Sequence, residues 1–148
     1  EIMNLISQVG NVYHAGTLSG NPVSVAAGIK TISILKENPK IYEALEKRTK
    51  EIVEKVEKLI EKYDVPASIN YANSLFTIFF SKEKVENLED AIKTSDDFYS
   101  IYFDVMLENG IIVPPSKYEA HFISYIHSDE DYNKYFSALE KVFQKIKK

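Results

Sequence analysis

ASINYANSLFTIFF, residues 67–80, decides the fold. Ala67–Tyr71 and Ser74–Phe80 are short runs suited to a pleated sheet, and Ala72-Asn73 between them suits a turn. LFTIFF is continuous and aromatic, which predicts a strand with little solvent on either face. On the N-terminal side, Ile41, Leu45, Ile52, Val56, Leu59 and Tyr63 share one face of a helix over about 41–63, with Glu and Lys on the other. An earlier helix over Val23–Leu35 has Asn21 as N-cap, Pro22 at its first position and a stop at Asn38-Pro39. Ile2, Leu5, Ile6 and Val9 form a helix-spaced stripe, and Gly10 to Asn21 is a loop.

On the C-terminal side, Ser81–Thr94 is charged and reads as loop. A helix over about Asp96–Glu108 turns Tyr99, Tyr102, Phe103 and Met106 inward and ends at Asn109-Gly110 in a left-handed cap. Short strands are expected at Ile111–Val113, stopped by Pro114-Pro115, and at His121–Ile126. Ser128 and Asp131 fit a capping box. It opens a last helix over about Asp129–Lys147 that buries Tyr132, Tyr135, Phe136, Leu139, Val142, Phe143 and Ile146. The order predicts an α+β fold: a small, mostly antiparallel sheet with helices packed on one face.

The 148 residues suffice for one domain with a real core, and a hydrophobic share of 45% is that of a globular chain. A net charge of −4 leaves no basic stripe for nucleic acid. No cysteine is present, which excludes a disulfide scaffold and a thiolate metal site and makes an intracellular, cytoplasmic setting the expectation. No apolar run approaches membrane-spanning length, and no signal peptide is read. The chain opens Glu-Ile-Met and is helix-like at once, so it is expected to continue something longer.

Three features could carry chemistry. GTLSGNP, residues 16–22, combines glycine-rich backbone, a threonine hydroxyl and a following helix N-terminus, which could cradle a phosphate; Gly and Ser also simply make turns. In PPSKYEAHF, residues 114–122, Glu119 sits between aromatics before a strand and could accept a hydrogen bond or act as acid or base. The residues alone favour a surface glutamate there. Lys117, flanked by Ser and Tyr, reads as solvated rather than as a desolvated nucleophile. His14, His121 and His127 have no metal-ligand spacing, so no metal site is expected.

Taken together, the motifs say more. AGTLSGNPVSVAAG (15–28), NSLFTIFFS (73–81) and FDVMLENGIIVPPSKYEAHFISYIHSDED (103–131) closely resemble corresponding segments of the glutamate-1-semialdehyde 2,1-aminomutase family. That family belongs to the class III pyridoxal-phosphate aminotransferases of fold type I. The resemblance covers essentially the whole chain. It implies an isomerase of tetrapyrrole (porphyrin) biosynthesis that converts glutamate 1-semialdehyde to 5-aminolevulinate with pyridoxal 5'-phosphate or pyridoxamine 5'-phosphate as cofactor.

By position, the resemblance makes Gly16 and Thr17 cofactor-binding residues, contacting the phosphate across a homodimer, and Glu119 a substrate-binding residue. It implies that residues 1–38 end the large PLP-binding domain and residues 39–148 form the C-terminal small domain. Three positions depart from the family pattern: His14 stands for Gln, Tyr118 for Phe, and His121 for Gly beside Glu119. The family's Schiff-base lysine lies upstream of residue 1, so no catalytic residue is expected in this chain and the isolated chain is expected to be inactive and not to hold the cofactor. The alternatives are another class III aminotransferase with two-substrate chemistry and a stand-alone dimerisation or interaction module. No nucleic acid or membrane partner is expected.

Overall fold

A computed structural model describes residues 1–6 and 9–147. The chain divides into two compact units, Glu1–Pro39 and Lys40–Lys148. In the first, the expected N-terminal helix is a single 3-10 turn, Ile2–Leu5, followed by a parallel bridge between Ile6 and Val12; the part of that expectation falling on residues 7 and 8 lies outside the described residues. Helix α1 (Pro22–Glu37) starts where the sequence places it. The Asn21 side chain accepts from the amides of Val23 and Ser24, and Pro22 at the first position has no N–H to satisfy. No side chain of α1 is buried, and Val23, Val25, Ile29 and Ile32 stand exposed.

The second unit holds the core. Helix α2 (Lys40–Tyr63) buries Thr49, Ile52, Val53, Val56 and Leu59 along one face. Strands β1 (Ser68–Ala72) and β2 (Leu75–Phe79) form an antiparallel hairpin closed by Asn73-Ser74, one residue later than expected. Asn73 takes a positive φ of 50°, which Asn tolerates better than most residues. Phe76, Ile78 and Phe80 are buried while Leu75, Thr77 and Phe79 are half-buried, so only one face of β2 is fully dry.

A short helix α3 (Leu88–Ile92), capped by Asn87, replaces part of the expected 81–94 loop. Helix α4 (Asp96–Glu108) buries Tyr99, Tyr102, Val105 and Met106, with Phe103 half-buried. Its end is a Schellman motif: Gly110 N–H donates to the Leu107 carbonyl at 2.9 Å, and Ile111 N–H to the Met106 carbonyl at 3.0 Å. Gly110 is left-handed at φ 72°.

Strand β3 (His121–Phe122) completes an antiparallel sheet of order β1-β2-β3. It is shorter than the expected His121–Ile126, because its partner runs out. His121 pairs with Phe76 and Phe122 with Leu75; Ile123 N–H still reaches the Ser74 carbonyl, and there the hairpin turns. The expected strand at Ile111–Val113 does not join the sheet among the described residues. Helix α5 (Asp129–Ile146) opens with the Ser128/Asp131 capping box and buries Tyr132, Phe136, Leu139, Val142 and Phe143; Tyr135 and Ile146 are half-buried. It packs on α2 and α4, while α2 also lies on β1 and β2. No described helix is long and apolar enough to cross a membrane.

Candidate cofactor loop and substrate-facing carboxylate

In the first unit, Gly16 and Thr17 are exposed in a tight loop. Ser19 N–H donates to the Gly16 carbonyl at 3.0 Å, and Asn21 N–H to the Leu18 carbonyl at 3.1 Å. Gly20 adopts φ 77°, which lets the chain turn into α1 without strain. A Cβ on residue 16 would stand 2.5 Å from the Ser19 hydroxyl, so glycine lets that hydroxyl sit against the backbone. The helix N-terminus is less open than the sequence suggested, because Asn21 already satisfies the amides of Val23 and Ser24. What the loop presents is hydroxyl and backbone chemistry on Gly16, Thr17 and Ser19. It fits one edge of a phosphate site.

In the second unit, Glu119 is exposed on a loop with a rigid base. The Tyr99 hydroxyl, on α4, lies 2.8 Å from the Pro114 carbonyl and 3.0 Å from that of Ser116, and its one proton is shared between them. The Ser116 carbonyl also accepts the Glu119 N–H at 3.1 Å. Burial, reinforced by the Glu119 charge, pushes the Tyr99 hydroxyl pKa up to about 12, so it stays a donor at neutral pH.

Lys117 is not solvated, contrary to the expectation from its neighbours in sequence. Its side chain is only 6% exposed. The ammonium donates to the carbonyls of Ile92 at 3.1 Å and Thr94 at 2.8 Å, and pairs with Asp96 at 2.8 Å. Those acceptors lie more than twenty residues away in sequence, beyond what local spacing can reveal.

The His121 ring turns into the core. It stacks on Phe76 at 4.6 Å between centroids and 12° between planes. Its Nδ1 lies 3.3 Å from the Phe76 carbonyl and its Nε2 2.7 Å from the Tyr102 hydroxyl. A carbonyl can only accept, so Nδ1 carries the proton, Nε2 accepts from Tyr102, and the Tyr102 oxygen accepts from Tyr135 at 3.2 Å. Burial lowers the His121 pKa to about 4, and the ring is neutral at physiological pH. The tyrosines of this network read as plain core in the sequence; their helical spacing carries no sign of the hydroxyl chain.

His121 also lines a cavity of about 430 Å³ with Ile111, Phe122, Tyr132 and Tyr135, and His127, Asp131 and Lys134 contribute polar groups. Among the described residues, no three His, Asp or Glu side chains are grouped to hold a metal ion.

Residues 1–143 match the family described as Aminotransferase class-III. Glutamate-1-semialdehyde 2,1-aminomutase of Fusobacterium nucleatum is 52% identical over 147 residues, covering 99% of this chain and 34% of that protein. The enzyme of the same name from Thermosipho africanus is 43% identical over 147 residues, with the same coverage of 99% and 34%. The chain spans about a third of the length of the curated relatives it matches. Among solved structures, a β-phenylalanine aminotransferase from Variovorax paradoxus superposes with a TM-score of 0.77 at 22% identity, over 97% of this chain and 33% of that one. An omega-transaminase from Sphaerobacter thermophilus gives 0.74 at 18% identity, over 99% and 34%. These likenesses show that the small sheet and its helices are part of the transaminase fold. The chain belongs to the class-III aminotransferase family.

Proposed function

We propose that this chain is the carboxy-terminal third of a pyridoxal-phosphate-dependent aminomutase that converts glutamate 1-semialdehyde to 5-aminolevulinate. The observation that carries this reading is the 52% identity to an aminomutase over 99% of the chain. In it, residues 1–38 end the large cofactor-binding domain and residues 39–148 form the small domain. The exposed apolar side chains of α1 support that division, since Val23, Val25, Ile29 and Ile32 are surface of the kind a larger domain covers.

Gly16 and Thr17 are the proposed phosphate contacts, reaching a neighbouring subunit's cofactor in a cytoplasmic homodimer; the exposed hydroxyl of Thr17 donates to a phosphate oxygen. Glu119 is the proposed substrate-side acceptor, held on a loop that Tyr99 ties down. Bound pyridoxal phosphate supplies the electron sink for moving an amino group between carbons. The chain on its own is proposed to be inactive.

The test supplies glutamate 1-semialdehyde to the full-length protein with no amino acceptor present. Formation of 5-aminolevulinate is expected, and its absence, or a strict need for a second amino acceptor, overturns the reading in favour of an ordinary aminotransferase. Thr17→Val is expected to weaken cofactor retention about tenfold, the worth of one charge-assisted hydrogen bond, read by dialysis against wild type.

A further inference from the structure

Lys117 lies two residues before Glu119, and the two side chains have opposite fates: one is buried, the other exposed. An ammonium has three donors and no acceptor. Here it meets three acceptors from two elements, the carbonyls of Ile92 and Thr94 at and just past the end of α3, and the carboxylate of Asp96 at the start of α4. Such a head group has no role left as a nucleophile. Its effect is on the backbone that carries it, because the loop cannot move without pulling a charged group out of its acceptors.

Tyr99 supplies the second tie, from α4 to the carbonyls of Pro114 and Ser116. Residues 114–117 are therefore fastened at both ends to the α3–α4 junction, and the Glu119 amide is bonded back to that segment through Ser116. We propose that Lys117 is a positioning residue, whose ammonium fixes the Pro114–Glu119 loop and thereby sets where the Glu119 carboxylate stands toward substrate. The proposal rests on the reading of Glu119 as substrate-facing.

The full-length protein is compared as wild type, Lys117→Met, Lys117→Arg, Glu119→Gln and the Lys117→Met/Glu119→Gln double variant. Lys117→Met is expected to lower kcat/KM for glutamate 1-semialdehyde about tenfold, chiefly through KM. Amide exchange across residues 117–120 is expected to rise about tenfold in the same variant. The double variant is expected within about twofold of Glu119→Gln alone, because the lysine acts through the glutamate. Losses that multiply, or wild-type exchange with wild-type kinetics, overturn the proposal.

Lys117→Arg keeps the charge but not the three-acceptor geometry. It is expected to show the same changes at smaller size, and decides the matter where the methionine variant fails to fold. Should the wild type make no 5-aminolevulinate, the aminomutase reading fails by itself, and the exchange data still decide whether Lys117 holds the loop.

Discussion

Replacing His121 by Gln removes a titrating ring from the core while leaving a side chain that can accept from Tyr102. The native ring titrates near 4 against an ordinary 6.5, because burial penalises the charged form. At ~1.4 kcal/mol per pH unit, that gap is worth about 3 kcal/mol. The folded state holds the neutral ring, and the unfolded chain takes up a proton first. The contribution is therefore complete above about pH 6.5, falls as pH drops through that window, and is gone below about pH 4.

Urea unfolding of wild type and His121→Gln from pH 7.5 to 4.5 isolates this contribution, since every other ionisable group is common to both proteins. The variant is expected to start less stable by a fixed amount, reflecting the lost stack on Phe76. The gap between the two proteins should then narrow by about 2–3 kcal/mol as the pH falls. A gap that stays constant across that range would refute the reasoning, as would a native His121 resonance titrating near 6.5.

Two further predictions concern helix ends. Ser128→Ala removes the hydroxyl that accepts the Asp131 amide and is expected to cost about 1 kcal/mol in urea unfolding, with a matching loss of protection in the first turn of α5. Gly110→Ala forces a side chain onto a residue at φ 72°, and is expected to cost about 1 kcal/mol; the Lys134 ammonium 3.1 Å from the new Cβ is a flexible chain end that can move aside. An unchanged unfolding midpoint in that variant would show that the left-handed cap does not hold the end of α4.

Much of the chain was legible without coordinates because its signals are local. Asn21-Pro22, Asn109-Gly110 and Ser128 with Asp131 mark helix ends through backbone groups within a few residues, and the structure places helix ends at each. The apolar face of α2 follows from the period of the helix. The strand at β2 was legible but its alternation was not, since LFTIFF reads as apolar on both faces and packing decides which one is dry. The family was legible too, because three separated motifs agree. Tertiary structure alone decided what has distant partners. Strand β3 stops after two residues because the hairpin ends at Ser74, and Lys117 is buried because Ile92, Thr94 and Asp96 converge on it. His121 is a neutral core ring because Phe76 and Tyr102 come to it from 45 and 19 residues away in the chain. A side chain's neighbours along the chain set its local geometry, whereas its burial, its charge state and its acceptors are set by whatever the fold brings against it.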